Sequence, residues 1–137
     1  MENFAFVDGS FNKDTKVYGY GGFLNVAGEK IVLQGHGDVK EFAESRNVAG
    51  EVFGSMAAIQ KAIELGVEEL KIYYDYEGIE KWASGEWKAN KALTKFYSGY
   101  IAAAKNVIKI EFEHVKAHTG IDGNEEADRL AKEAVGL

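Results

Sequence analysis

The pattern of hydrophobic and polar residues in the first third of the chain predicts β-strands. Residues 4–7 form a short apolar run that ends at residues 8–10, whose Asp-Gly-Ser sequence is typical of a turn. Residues 17–26 are rich in aromatic residues and glycine, and residues 31–33 are apolar. Residues 27–29 between them have the composition of a hairpin turn. We therefore predict three strands that form an antiparallel meander.

The pattern becomes helical after residue 47. Up to residue 65, apolar side chains recur at intervals of three and four positions, and Gly66 ends the pattern as a C-terminal cap does. Residues 70–74 then alternate between apolar and other side chains, which predicts a short fourth strand that ends at Asp75.

The second half of the chain predicts more helix, one further strand and a final helix. Residues 76–106 have a helical pattern that is interrupted near residues 84–85, and residues 107–112 have the pattern of a fifth strand. Residues 127–134 carry the apolar spacing of a last helix. The predicted order, β-β-β-α-β-α-α-β-α, describes an α/β fold in which helices flank a five-stranded mixed sheet.

Length and composition predict a single domain over residues 1–137. Hydrophobic residues make up 46% of the chain, which is enough for a sizeable core. The absence of cysteine excludes a disulfide framework and a cysteine-built zinc site. No apolar run approaches the length that spans a bilayer, and residues 1–3 lack the features of a signal peptide. We expect a soluble, cytoplasmic protein without a membrane partner.

The distribution of charge along the chain is more informative than its net charge. The net charge of −6, considered by itself, argues against a polyanionic partner. Residues 71–116, however, carry more Lys and Arg than Asp and Glu, whereas the segments on both sides are net acidic. We therefore expect contacts with phosphate groups in the middle segment. Clustered carboxylates elsewhere would need a cation to relieve their repulsion.

Four acidic residues occupy positions where ligand sites form in α/β folds. Asp8 follows the first predicted strand, Glu51 lies in the first turn of the first long helix, and Asp75 ends the fourth strand. Asp128 lies near the start of the last helix, one turn after Asn124. Each residue also has a structural explanation as a turn, cap or surface residue. If the four converge, they suit hard divalent cations and phosphodiester hydrolysis.

Several motifs together resemble the catalytic domain of type 1 ribonuclease H. They are VDGS at residues 7–10, NVAGE at 47–51, IYYD at 72–75, HVKAHTG at 114–120 and NEEADRLA at 124–131. Each motif is short and unspecific by itself. Their combination, in the family's order and spacing along the whole chain, is specific. The resemblance implies an endonuclease that hydrolyses the RNA strand of RNA–DNA hybrids.

The resemblance also implies the catalytic residues and the metal. Asp8, Glu51, Asp75 and Asp128 match the family's four metal-ligating carboxylates. The implied cofactor is Mg²⁺, two ions per site, with Mn²⁺ as a substitute. His118 matches a loop histidine that assists proton transfer or product release. The implied products carry 5′-phosphate and 3′-hydroxyl ends.

Substrate contacts are implied at four further positions. Gly9 and Ser10 match residues whose backbone approaches the RNA, and Asn47 matches a residue that contacts the minor groove of the hybrid. Asn124 is a candidate contact because it shares a helix face with Asp128. Val48 stands where the family commonly has a second asparagine, so part of the minor-groove recognition differs here.

The chain also departs from the basic, tryptophan-rich projection of some family members. This region is reduced here to residues 82–91, and the sequence leaves open whether Trp82 and Trp87 contact DNA or pack internally. The nearby lysines are candidate phosphate contacts or solvated surface residues. They are Lys88, Lys91 and Lys95. We expect a monomer that binds the hybrid weakly by itself, either without an N-terminal hybrid-binding module or beside one outside this sequence.

Two other functions fit parts of the pattern. One is a different nuclease or transferase of the same superfamily, such as an integrase, transposase or junction resolvase, but these generally lack the loop histidine and the Asn124–Asp128 pair. The other is a non-catalytic hybrid-binding module. A mere binder would gain nothing from four mutually repulsive carboxylates, which would hinder the binding of phosphate groups.

Overall fold

The computed structural model of the protein describes residues 3–115 and 122–137, which form one sheet with helices on both faces. The strands are β1 (Phe4–Asn12), β2 (Val17–Val26), β3 (Glu29–Gly37), β4 (Glu69–Tyr74) and β5 (Lys109–His114). The helices are α1 (Lys40–Ala43), α2 (Asn47–Glu64), α3 (Gly78–Ser84), α4 (Ala92–Ala104) and α5 (Asp122–Ala134). In this part of the chain, no helix is long and apolar enough to cross a membrane.

The sheet is mixed, as the sequence predicted. Its strand order is β3-β2-β1-β4-β5. The first three strands pair antiparallel as a meander, whereas β4 pairs parallel with both β1 and β5. The carboxyl ends of β1, β4 and β5 therefore meet at one edge of the sheet. Such an edge is where open α/β sheets form their ligand crevices.

The main core lies between the sheet and the layer made by α2, α3 and α4. Alternate side chains of β1 and β4 enter this layer, because successive residues of a strand point to opposite faces. The largest side chains buried here are Leu24, Ile59, Leu70, Ile72, Ile79, Leu93, Tyr97 and Ile101. Helix α5 packs on the opposite face, chiefly against β1 and β2. The two helices that carry predicted site residues, α2 and α5, thus approach the sheet from opposite sides.

The predicted turn at residues 8–10 is wrong. Strand β1 continues through these residues to Asn12, and every residue from Phe4 to Asn12 has a partner in β2. The chain turns only afterwards, where the Asn12 side chain accepts hydrogen bonds from the backbone N–H groups of Asp14 and Thr15. The Asp-Gly-Ser sequence has another use here, because the missing side chain of Gly9 lets a helix approach the strand.

The remaining differences concern the ends of elements and one short helix. Helix α2 and the following Gly66 agree with the prediction, and the interruption near residues 84–85 separates α3 from α4. Strand β5 begins at Lys109 and ends at His114, two residues later than predicted at each end. Helix α1 was not predicted, because four residues are too few for a helical period to be recognised.

Candidate active site

Asp8 and Asp75 lie side by side at the carboxyl edge of the sheet. The parallel register pairs Phe6 of β1 with Tyr73 of β4. Asp8 follows two positions after Phe6 within β1, so it lies on the same face as Phe6, the face that α5 covers. Asp75 follows two positions after Tyr73, directly beyond the end of β4, and its charge acts on the carboxyl group of Asp8.

Glu51 reaches this edge from the opposite face of the sheet. It is the fifth residue of α2, just beyond the first turn in which the sequence predicted it. A side chain at Gly9 would lie 2.4 Å from the backbone N of Glu51, so glycine is required for this close approach. The Glu51 carboxylate is 3% exposed and accepts a 2.7 Å hydrogen bond from the backbone N–H of Asp75. It accepts a second one from the N–H of Tyr76 at 3.2 Å.

Asp128 completes the group from α5. A side chain at Gly21 would lie 2.1 Å from the backbone N of Ala131, so this glycine allows α5 to lie close to the sheet. The charge of Asp128 acts on the carboxyl group of Asp8, so the two carboxyl groups lie close together. Its Oδ2 also lies 3.0 Å from Nζ of Lys132, one helical turn further on. Four elements thus bring the four predicted carboxylates together.

Burial and mutual repulsion make two of these groups weak acids. Burial raises the pKa of Asp8 to about 7; the hydrogen bond from the backbone N–H of Gly9 lowers this pKa, and the charges of Asp128 and Asp75 raise it. Burial likewise raises the pKa of Glu51 to about 8, against the two backbone N–H groups that stabilise its charge. A bound cation would relieve this mutual repulsion and favour the charged carboxylates.

The oxygen atoms of the four carboxylates suit a hard divalent cation, although the side chains are not arranged to bind one in this structure. Within residues 3–115 and 122–137, no three Asp, Glu or His side chains are placed so that they could hold a metal ion. The reason is visible in the contacts of the group. Glu51 is turned towards backbone amides and Asp8 towards Asp128. Oxygen donors of this kind are nevertheless the ligands that Mg²⁺ prefers.

The predicted substrate contacts surround the carboxylates. Gly9 and Ser10 follow Asp8 in β1, and Ser10 is 9% exposed. Asn47 is the exposed first residue of α2. Asn124 is only 5% exposed, so its side chain is buried in the protein rather than presented to solvent. His118 lies outside the described residues.

Three residues that were not predicted as site residues from the sequence contact the carboxylates or the backbone of Asp75. Tyr76 donates its backbone N–H to Glu51, and Lys132 pairs with Asp128. His114, the last residue of β5, lies with Nε2 2.6 Å from the backbone oxygen of Asp75. Of these three contacts, only that of Lys132 could have been predicted from the sequence, since Lys132 stands four residues after Asp128 on a predicted helix.

An aromatic and basic groove lies next to the start of α2. The rings of Tyr76, Trp82 and Trp87 contact one another, with centroids 5.7–6.2 Å apart. Tyr76 and Trp82 also line a cavity of about 320 Å³ together with Lys88 and Lys91. The two tryptophans are half-buried, so they pack on each other and still reach the surface. This combination of rings and cations suits a nucleic-acid strand.

A second basic cavity lies on the other side of the α2 start. It has a volume of about 410 Å³, and its wall includes Lys16, Lys40 and Arg46. The Arg46 guanidinium stands 6.0 Å from the ring centre of Phe11, which limits where it can move. Two acidic residues, Asp38 and Glu44, also line this cavity. Cations therefore lie on both sides of Asn47.

Comparison with solved structures identifies the fold. The chain superposes on RNase H1 from the archaeon Halobacterium salinarum with a TM-score of 0.76 and 23% identity, covering 98% of this chain and 97% of that one. It superposes on LC11-RNase H1, solved in complex with an RNA/DNA hybrid, with a TM-score of 0.74 and 16% identity. That match covers 97% of this chain and 99% of the other. The predicted ribonuclease H-like fold is confirmed.

Comparison of sequences identifies the family. Human ribonuclease H1 is 33% identical over 106 residues, which are 64% of this chain and 34% of the human protein. The chain thus spans about a third of the length of its mammalian relatives. Ribonuclease H from Francisella tularensis subsp. novicida is 24% identical, over 96% of this chain and 89% of its own length. The RNase H family model matches residues 2–136. The chain therefore belongs to the RNase H family.

Proposed function

We propose that this chain is an endonuclease that hydrolyses the RNA strand of RNA–DNA hybrids. The observation that carries the proposal is the convergence of Asp8, Glu51, Asp75 and Asp128 from four elements, in a chain of the RNase H family. Their burial raises the pKa of two of them, and carboxyl groups with such perturbed pKa values are typical of functional sites. A purely structural role would not require four carboxylates at one edge.

The four carboxylates would hold the metal, as the family's general dependence on divalent metal suggests. Two bound Mg²⁺ ions would supply activation of water and charge neutralisation at the scissile phosphate. Asp8 would ionise beside the bound cation, and Asp75 would project its carboxylate from the end of β4. Glu51 would keep the backbone of Asp75 and Tyr76 in place.

The surface on either side of these carboxylates suits two nucleic-acid strands. The RNA strand would lie over Gly9 and Ser10, next to Asp8, and Asn47 would contact the minor groove. The DNA strand would follow the aromatic and basic groove, where Trp82 and Trp87 offer surfaces for stacking and Lys88 and Lys91 offer charge. The 2′-hydroxyl group, present on one strand only, would decide which strand is cut.

The hybrid is the proposed substrate for two reasons. LC11-RNase H1, which shares this fold, was solved in complex with an RNA/DNA hybrid. In addition, the cations flank the start of α2 on both sides, so a substrate with phosphates on two strands meets positive charge on each. The proposed products carry 5′-phosphate and 3′-hydroxyl ends, and His118 is the proposed aid to proton transfer or product release.

Cleavage of labelled oligonucleotides tests the proposal directly. The substrates are an RNA–DNA hybrid, single-stranded RNA, duplex RNA, duplex DNA and a four-way DNA junction, each with Mg²⁺, with Mn²⁺ and with a chelator. We expect metal-dependent cleavage of the RNA strand of the hybrid alone. Cutting of duplex DNA or of junctions would instead favour another nuclease of the superfamily. Binding of the hybrid by folded protein that cuts in neither metal would favour a non-catalytic module.

A further inference from the structure

The backbone carbonyl of Asp75 is held by a side chain that the four-carboxylate site does not include. The Nε2 atom of His114 lies 2.6 Å from the carbonyl oxygen of Asp75. A carbonyl oxygen can only accept a hydrogen bond, so this nitrogen carries the proton and donates it. The ring of His114 also packs against that of Tyr74, with centroids 5.4 Å apart. These two contacts fix the direction of the imidazole.

Asp75 is thereby held through both of its backbone polar groups. Its N–H donates to Glu51 at 2.7 Å, and its carbonyl accepts from His114. The ladder between β4 and β5 ends with the pairing of Tyr74 and His114, so the Asp75 carbonyl lies one residue beyond it. At this point the imidazole supplies the hydrogen bond that a further residue of the β4–β5 ladder would otherwise supply. The direction of the Asp75 side chain depends on this backbone.

We propose that His114 is a positioning residue for Asp75, an inference that rests on the proposed function. Its hydrogen bond holds the end of β4 in the orientation from which the Asp75 carboxylate would bind a metal ion. Outer partners of metal ligands commonly have such an effect, because they set the angle at which the ligand is presented. His114 itself does not touch the substrate.

The same contact contributes little to the fold. The His114 side chain is exposed, and an exposed hydrogen bond adds little to stability. The end of β5 is already attached to β4 by the hydrogen bond from the N–H of Val115 to the carbonyl of Tyr74, at 2.7 Å. Loss of the imidazole donor is therefore expected to change the geometry at Asp75 much more than it changes the thermal midpoint of unfolding.

Two substitutions distinguish the effect of the hydrogen-bond donor of His114 from the effect of its ring. His114→Phe keeps a ring beside Tyr74 and removes the donor, whereas His114→Gln keeps an N–H donor near the same place. His36→Phe is the matched control, since His36 is an exposed histidine of edge strand β3. For His114→Phe we expect kcat on the hybrid to fall about 10-fold, with KM nearly unchanged and a raised half-saturating Mg²⁺ concentration. His114→Gln is expected to restore most of both quantities.

A second readout does not depend on catalysis. Titration of Mg²⁺ into the free protein, followed by calorimetry, is expected to show weaker binding to His114→Phe than to the wild type or to His36→Phe. Equal Mg²⁺ affinity and equal kcat in His114→Phe would overturn the proposal. Equal losses in the Phe and Gln variants, or unfolding of the Phe variant, would do so as well. If the wild type cuts no hybrid, the proposed function fails, and the Mg²⁺ titration still decides the role of His114.

Discussion

One face of strands β1 and β4 is aromatic at its beginning and acidic at its end. Phe6 and Tyr73 lie opposite each other in the register and stack with their ring centroids 4.5 Å apart. Phe6 also stacks on Phe23 of β2 at 5.5 Å. Asp8 stands two residues after Phe6 in β1, and Asp75 stands two residues after Tyr73, directly beyond the end of β4. The side chains here therefore change from aromatic to acidic within two residues along the chain.

The two ends of the face contribute to stability with opposite signs. Packing of the aromatic rings removes apolar surface from water and stabilises the fold. Burial of the carboxyl groups raises the pKa of Asp8 and of Glu51, which means that their charged forms destabilise the metal-free protein. The aromatic end therefore supports the structure, whereas the acidic end lowers the stability of the metal-free protein, as is expected of a functional site. Substitutions at either end can test this division.

The largest expected effect is on catalysis at the acidic end. Asp75→Asn keeps the size of the side chain and both backbone hydrogen bonds, so the fold should be retained. We expect kcat on the hybrid to fall by more than about 100-fold, since loss of an outer partner alone typically costs 10–100-fold. Steady-state cleavage assays at saturating Mg²⁺ measure this, with circular dichroism as the check on folding. Near-normal turnover would refute the assignment of Asp75 as a ligand.

The aromatic end should respond in the opposite way. Phe6→Ala removes a half-buried ring that contacts Phe23, Tyr73 and the start of α5. We expect a loss of about 2 kcal/mol in the free energy of unfolding, less than for a fully buried ring, with kcat within about 3-fold of the wild type. Urea denaturation and cleavage assays measure the two quantities.

Phe96→Ala is the control for this change, because Phe96 is 51% exposed and its removal should cost less. A stable Phe6→Ala protein that had lost most of its turnover would show that the aromatic end takes part in catalysis. The proposed division between the two ends would then be wrong.

The pH dependence of stability tests the cost of the acidic end. The pKa of Asp8 is 3.8 in a model compound and about 7 in the folded protein. Between these values the native state keeps a proton that the unfolded state has released, so the stability falls as the pH rises from about 4 to about 7. Asp8→Asn abolishes this contribution. In the presence of a chelator, the free energy of unfolding of Asp8→Asn, taken relative to that of the wild type, should therefore be about 1–3 kcal/mol higher at pH 8 than at pH 4.5.

Urea denaturation at the two pH values measures this gain, and Asp14→Asn, in the exposed turn after β1, is the control. Added Mg²⁺ should stabilise the wild type more than Asp8→Asn, because a ligand stabilises the state that binds it. A parallel pH dependence of wild type and Asp8→Asn would mean that Asp8 is not destabilising.

The smallest expected effect concerns Lys132. Its ion pair with Asp128 is partly exposed, and pairs of this spacing contribute about 0.3–0.5 kcal/mol. Lys132→Met removes a cation that competes for Asp128, so we expect the half-saturating Mg²⁺ concentration to fall about 2-fold. Arg129→Met is the matched control, since it breaks the pair of Arg129 with Glu133, of the same spacing on the same helix. Equal Mg²⁺ responses in both variants would exclude a specific role for Lys132.

The amino-acid sequence predicted most of the elements and the four candidate carboxylates. The antiparallel meander and helix α2 follow from the periods of two and 3.6 residues in their apolar side chains, which depend on neighbours along the chain. The carboxylates were recognised through family motifs rather than through spacing alone, because Asp8 or Asp128 taken singly also suits a turn or a solvated helix. The structure brings them to one edge of the sheet, and their role as metal ligands stays a prediction.

Only the tertiary structure decided how these groups are held. The turn predicted at residues 8–10 became part of β1, because pairing with β2 and the approach of α2 to Gly9 outweigh a local turn preference. The bond from the Asp75 N–H to Glu51 joins residues 24 positions apart, and the one from His114 to the Asp75 carbonyl joins residues 39 positions apart. No period or local propensity reports contacts of this length, since they exist only once strands β4 and β5 and helix α2 have packed together.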